Sequence, residues 1–169
     1  MNEIRLLFGR AVLRDKDQLI SAIQDLQSRY GCVIQALDAD RVVSERHLAF
    51  AMEKALAAFR EGRNIAKDPG LEIMRYASGE KQIERALLMG LSPSTQRIAL
   101  IIATFGRDCR WPSTSEISRV VAPDGRGCSF DNWAVREAFH ISSQEMEAVG
   151  EDKIEELVLE RVALVDTYH

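Results

Sequence analysis

The spacing of apolar residues predicts alternating strands and helices in the first part of the chain. Branched apolar side chains dominate residues 4–13 and predict a strand, in which Gly9 permits a bend. Apolar side chains then recur every three or four residues over 15–30, which predicts a helix that ends at Gly31. Residues 32–37 form a short apolar run and predict the second strand.

The middle of the chain continues the pattern. Helices are predicted over 45–61, 70–77 and 80–89. Ser44 has the chemistry of an N-cap for the first of these helices, and Pro69 suits the start of the second. Residues 98–103 are almost all apolar, which is typical of a strand that is covered on both faces.

The last third carries weaker patterns. Residues 113–116 and 142–145 fit the capping box, and a short strand is predicted over 139–141. The final helix is predicted over 151–165. Together these elements predict an α/β (α+β) fold, in which helices cover a small mixed β-sheet. At 169 residues the chain is expected to form one domain over 1–169, with a C-terminal partner-binding helix.

Charge argues against a broadly basic nucleic-acid binder, because the net charge is -4 and the pI is near 5.5. The charge is uneven along the chain. Residues 1–90 carry 14 Lys and Arg against 13 Asp and Glu, whereas the remaining residues carry 8 against 13. An anionic ligand is therefore expected to bind the first half of the chain, away from the acidic 145–160 segment.

Three cysteines, none close to another in the sequence, suit free thiols in a reducing compartment. Cys32 lies in an apolar run and is expected to be a small core residue. Neither a cleavable signal segment nor an apolar stretch of membrane-spanning length is visible. We therefore expect a cytoplasmic protein without membrane association.

Catalytic motifs are missing from the sequence. It has no phosphate-binding P-loop, dinucleotide fingerprint or nucleophile elbow, and its histidines and cysteines lack metal-ligand spacing. This pattern favours a protein that is not an enzyme and that needs no cofactor or metal. An alternative is a small enzyme for nucleotides or phosphorylated metabolites, with a phosphate at residues 78–82 and His47 as base. A third interpretation is a scaffold with only a partner helix.

One segment has the chemistry of an anion site. Gly79 permits close approach of the backbone, Lys81 supplies positive charge, and Gln82 can hydrogen-bond a base or a ribose hydroxyl. Nearby polar and basic residues could complete a patch: Arg60, Arg63, Asn64 and Lys67. The competing interpretation is that Ser78 caps a helix and Lys81 is solvated. His47, in the first turn of its helix, is either structural or a ligand contact.

The predicted last helix carries two apolar faces. One arc is expected to face the core, and its members are Ile154, Leu157, Val158, Val162, Leu164 and Val165. Leu159 and Ala163 lie on a separate patch, which suggests a helix-mediated interface with a partner. The alternative is that both faces are covered within the domain.

These segments resemble the kinase-binding subunit of the KEOPS complex, known in animals as PRPK-binding protein and common in archaea. The resemblance is strongest in the run Ala77-Ser-Gly-Glu-Lys-Gln-Ile83, which is similar to the archaeal pattern Ala-Ser-Gly-x-Arg-Gln-Ile. It extends through further segments: 37–40, 44–47, 64–66, 71–74 and the terminal 158–165. Residues 106–150 match the family poorly.

The resemblance implies a specific function. KEOPS installs a threonylcarbamoyl group on the adenosine next to the tRNA anticodon, and this subunit binds the complex's small atypical kinase without being the catalyst. The archaeal type also holds the single-stranded CCA end of tRNA. The implied RNA-binding residues are Gly79, Lys81, Gln82, Ile83, His47, Arg63 and Asn64. The implied kinase-binding residues are Val158, Leu159, Val162 and Ala163, and other KEOPS subunits would be indirect partners.

Overall fold

The computed structural model describes residues 3–105 and 109–167, which build a four-stranded sheet. The central strand β3 (Arg97–Ala103) is buried along its whole length, as its apolar sequence predicts. It pairs on one side with β2 (Val33–Asp38) and on the other with β1 (Ile4–Ala11). The short strand β4 (Val121–Pro123) adds to the outer side of β1.

The predicted α/β fold is confirmed, with one correction to the sheet. It is antiparallel in every pairing of the described strands, not mixed. The chain runs from β1 through helix α1 (Lys16–Tyr30) to β2 and so makes a crossover between two parallel strands. These two strands do not pair, because β3 lies between them and runs opposite to both.

Helix boundaries follow local capping chemistry. Asp15 caps α1 by accepting a hydrogen bond from Asp17 N, and Gly31 ends the helix in the left-handed conformation. Ser44 caps α2 (Glu45–Arg60), and Asp68 caps α3 (Pro69–Ser78). The sequence therefore predicts these three helices to within a residue or two.

Side chains alternate across the sheet and divide the core in two. Ile34 and Leu100 face α1 on one side. Leu37 and Ile101 face the opposite side, which is covered by α2, α3 and the later helices: α6 (Asn132–Ala138), α7 (Ser143–Val149) and α8 (Ile154–Leu164). The candidate functional residues all belong to this second side of the molecule.

The predicted helix over 80–89 is wrong. Only α4 (Ile83–Ala86) is α-helical there, and a 3-10 turn over Leu87–Met89 follows it. Gly79 ends α3 with φ +71°, and Gln82 is still extended, so residues 79–82 form a connection instead of a first helical turn.

The predicted strand over 139–141 is also wrong, because Phe139 ends α6 and His140 has φ +55°. Both serine caps are confirmed, since Ser113 starts α5 (Thr114–Ser118) and Ser142 starts α7. The described contacts give only this half of each capping box, because the Glu116 carboxylate binds Tyr30 and that of Glu145 binds Arg161. The last helix begins three residues later than predicted, after a 3-10 turn over Glu151–Lys153. No helix in the described ranges is long and apolar enough to cross a membrane.

Candidate functional site

The loop between α3 and α4 is an exposed connection, and the buried hydroxyl of Ser78 fixes its first turn. Ser78 Oγ accepts a hydrogen bond from Glu80 N and donates one to Arg75 O, which fixes the turn around Gly79. Lys81 and Gln82 are exposed, whereas Ile83 is half-buried. Because the helix predicted to begin at residue 80 starts only at Ile83, residues 79–82 present their side chains as a loop and do not form the first turn of a helix.

A buried ion pair fastens this loop to α3. Arg75 donates from Nε to Glu72 Oε1 at 2.8 Å and from Nη2 to Glu72 Oε2 at 3.0 Å. Both side chains are almost fully buried, with 4% and 0% exposure. The remaining guanidinium nitrogen, Nη1, donates to Lys81 O at 3.2 Å, so the ion pair also positions the backbone of the loop.

The same pair holds a second connection, which links α2 to α3. Glu72 accepts hydrogen bonds from Ala66 N at 3.1 Å and from Ile65 N at 3.3 Å. Asn64 is half-buried and donates to Ala66 O, which closes the turn locally. One carboxylate therefore sets the position of residues 64–66, and its guanidinium partner sets the position of residue 81.

Asp166, just after α8, accepts hydrogen bonds from side chains of α2, of α3 and of the connection between these helices. Its Oδ1 accepts from Tyr76 Oη at 2.5 Å and from Arg63 Nη1 at 2.9 Å, and its Oδ2 accepts from Lys54 Nζ at 3.2 Å. Partial burial opposes ionisation, but these hydrogen bonds and charges outweigh it and lower the pKa of Asp166 below its usual value. Lys81 Nζ also donates to Thr167 O, next to Asp166.

The structure thus brings Arg63 and Lys81 of the 79–82 loop together around the end of α8, whereas Asn64, next to Arg63 in the chain, makes only a local contact among the described residues, to Ala66 O. The Arg63 guanidinium is partly exposed and is shared among Glu61, Tyr76 and Asp166. Burial lowers the pKa of Arg63, but the hydrogen bonds that its guanidinium donates to Glu61 and Tyr76, together with the charge of Asp166, raise it by more. Arg63 therefore carries a permanent charge at the rim of the loop.

His47 does not join this surface, which corrects its expected contact with RNA. Its side chain is fully buried. Nδ1 accepts a hydrogen bond from Val43 N at 3.3 Å, so the ring proton lies on Nε2, which donates to Ala77 O at 2.8 Å. Burial lowers the pKa of His47 to about 4, although the hydrogen bond to Ala77 O opposes the change. His47 is a neutral support beneath the end of α3.

Helix α8 divides its apolar residues between core and surface. The expected inward arc is buried, apart from Leu164, which is 46% exposed. Val158 and Val162 have no exposure, so we correct their expected role: neither can contact a partner while α8 remains packed. Leu159 and Ala163 are half-exposed and remain available.

A shallow groove lies beside Leu159, between α8 and α2. Its volume is about 290 Å³, and its lining consists of Arg46, Ala49, Phe50, Glu53 and Leu159. Arg46 Nη1 lies 3.7 Å from Glu155 Oε1 at the edge of this groove. We call the surface formed by the groove and Ala163 the α2–α8 face; it has an apolar floor and a charged border.

A family model for the kinase binding protein CGI-121 matches residues 12–166. The chain belongs to the CGI-121 family. This match covers nearly the whole chain and spans residues 106–150, where the sequence resemblance was poor. It confirms the family indicated by residues 77–83 and 158–165. A search of curated proteins gave no match.

Several residues of the site were not predicted from the sequence. Glu72 and Arg75 are three residues apart on α3, a spacing at which oppositely charged side chains meet, but burial made this pair important. Asp166 and Phe50 carry no local pattern that marks them. Their positions depend on α2, α3 and α8 packing together.

Proposed function

We propose that this chain is a non-catalytic, cytoplasmic subunit of the KEOPS complex, with two contacts on one side of its fold. The α2–α8 face docks the small atypical kinase, and the 79–82 loop holds the CCA end of tRNA. In this way the chain supports threonylcarbamoyl modification of the adenosine next to the anticodon. The observation that carries the proposal is membership of a kinase-binding family, combined with an apolar strip on α8 that the fold leaves half-exposed.

The chemistry of the α2–α8 face suits a helical or flat apolar partner surface. Leu159 and Phe50 provide an apolar centre, and aromatic side chains such as Phe50 are enriched at the cores of protein interfaces. Glu53 lines the groove beside this centre, and Glu156 and Glu160 are exposed on the same helix as Leu159, so negative charge exceeds the single positive charge of Arg46. The kinase surface should therefore combine an apolar patch with basic residues around it.

The chemistry of the loop suits a short single strand. Exposed Lys81 and half-exposed Arg63 can meet phosphates, and exposed Gln82 can hydrogen-bond a base edge. Two opposing groups limit the charge there: Glu80 lies in the loop itself, and Asp166 shares Arg63. A contact confined to a few nucleotides agrees with a chain whose net charge is -4.

Kinase docking is tested by titrating the purified kinase with the wild-type chain and with Leu159→Asp. The variant should bind at least about tenfold more weakly, because a carboxylate would be buried without a partner at the centre of the face. Leu88→Asp is the matched control, since Leu88 is 67% exposed and lies outside α2 and α8. Equal binding by the wild type and Leu159→Asp would refute docking through this face.

The RNA contact is tested by titrating the chain with intact tRNA and with tRNA that lacks its CCA end. Trimming should weaken binding, and Lys81→Glu should weaken binding of the intact tRNA only. Lys16→Glu makes the same charge change at an exposed site on α1, across the sheet, and should bind like the wild type. Equal affinity for both tRNAs would refute the RNA contact without affecting the kinase proposal.

A further inference from the structure

Two cysteines that are 77 residues apart in the sequence meet on the side of the sheet opposite the α2–α8 face. Cys32 Sγ and Cys109 Sγ lie 2.6 Å apart. Cys32 immediately precedes β2 and is almost completely buried, whereas Cys109 follows β3 and is half-buried. Neither the proposed kinase contact nor the proposed RNA contact uses them.

Contacts between Arg110 and residues 29–32 hold these two sulfurs near each other. Arg110 N donates to Tyr30 O at 3.1 Å, and the Arg110 side chain donates to Arg29 O at 3.2 Å. Cys32 Sγ also contacts Arg110 O at 3.0 Å. The segment that follows Cys109 is therefore docked on the segment that precedes Cys32, and this docking brings the two thiols into contact.

We propose that Cys32 and Cys109 are a dithiol site that forms a reversible intramolecular disulfide by exchange with a small oxidised disulfide of the glutathione class. In the first step the Cys109 thiolate attacks one sulfur of the oxidant, and one small thiolate leaves. In the second step Cys32 loses its proton and attacks Cys109 Sγ, and the second small thiol leaves. Two electrons pass from the protein to the oxidant, and two small thiols are released.

The surroundings of the two sulfurs assign the order of these steps. Burial, together with the hydrogen bond and charge of Cys109, raises the pKa of Cys32 to about 12, and the charge of Arg5 opposes the increase only weakly. Cys32 thus remains a thiol until its neighbour is already bonded to the oxidant. Cys109 lies nearer to solvent, so it is the sulfur that a small disulfide can reach.

The link would join the start of β2 to the segment after β3 and so restrict the unfolded chain over a long loop. Oxidation is expected to raise the midpoint of thermal unfolding by on the order of 10 °C. Because the pair lies across the sheet from the α2–α8 face, kinase and tRNA binding should be the same in both redox states. The disulfide proposal therefore does not depend on the proposed function.

The test equilibrates the full chain in glutathione buffers from reducing to oxidising, quenches with acid, and alkylates the remaining thiols under denaturing conditions. Intact mass and peptide mapping then identify the products. Under oxidising conditions two of the three thiols should resist alkylation, the protein should be lighter by two hydrogen atoms, and mapping should link Cys32 to Cys109. A reducing agent should restore all three thiols.

Two serine variants provide controls. Cys128→Ser should still form the link, since the Cys128 thiol contacts Val42 O instead of another sulfur. Cys109→Ser should lose both the link and the increase in unfolding temperature. Alkylation of all three wild-type thiols at every redox ratio, a persistent glutathione adduct, or a link to Cys128 would each overturn the proposal. The wild-type peptide map gives this answer even if a variant folds poorly.

Discussion

Gly79 packs directly against Arg161 of helix α8. A Cβ added at Gly79 would stand 3.2 Å from Arg161 Cβ, and the backbone there has φ +71°. Arg161 is itself fixed, because it donates to Phe139 O at 2.7 Å and to both carboxylate oxygens of Glu145. The loop proposed to hold RNA and the helix proposed to dock the kinase therefore touch at a residue without a side chain.

This contact predicts that Gly79→Ala destabilises the protein by about 2 kcal/mol, from a strained left-handed backbone and from crowding against α8. Gly125→Ala is the matched control, since Gly125 has φ +72° and nothing within 4 Å of an added Cβ. It should cost about 1 kcal/mol, the backbone strain alone. Urea unfolding of both variants measures the difference, and equal losses would show that the Arg161 contact is unimportant.

The Glu72–Arg75 pair predicts a large loss of stability when one partner becomes neutral. Glu72→Gln should lower the free energy of unfolding by about 3 kcal/mol, because the Arg75 charge would remain buried without its counter-charge. Chemical denaturation measures the change. Glu84→Gln, at an exposed position of α4, should stay within about 0.5 kcal/mol of the wild type. A small effect of Glu72→Gln would mean that Lys81 O and water compensate the guanidinium.

The buried His47 predicts a loss of stability in weak acid. The unfolded chain binds a proton at this residue near the ordinary histidine pKa of 6.5, whereas burial lowers the pKa in the folded state to about 4. Protons therefore favour the unfolded chain as the pH falls from 6.5 toward 4, and this residue should cost about 2 kcal/mol between pH 7 and pH 5.

Unfolding measured as a function of pH tests this assignment. His47→Gln should be less stable than the wild type at pH 7, and the difference should shrink by pH 5, where only the wild type bears the protonation cost. His140→Gln is the control, because His140 is exposed and contacts Glu80 at the surface. A constant difference between the wild type and His47→Gln across this range would contradict the assignment.

Because Asp166 pairs with both Lys54 and Arg63, we expect its neutralisation to reduce stability at the end of α8. Asp166→Asn removes the charge that Lys54 and Arg63 share and should cost about 2 kcal/mol. Denaturant unfolding measures this cost. Asp152→Asn, at an exposed site before α8, should be almost neutral. If Asp166→Asn is equally neutral, the three contacts to Asp166 are surface pairs with little effect on stability.

Much of the fold is encoded locally and was predicted from the sequence. The periodicity of apolar residues, the caps Asp15 and Ser44, and the helix-starting Pro69 define the first helices, because each signal depends on residues within one or two turns. The uniformly apolar run over 98–103 predicts the central strand for the same reason. The sequence around residues 77–83 also indicates the family that the family model confirms.

Only the tertiary structure determined which residues from distant parts of the chain come together and which of them remain exposed. The order of the strands, the partners of Asp166 and the meeting of Cys32 with Cys109 all join residues far apart in the chain, where no local pattern reports contact. Burial also separated residues that look alike on one helix: Val158 and Val162 enter the core, whereas Leu159 stays half-exposed. A periodic pattern shows which residues share a face, but the packing of neighbouring helices determines which face remains free.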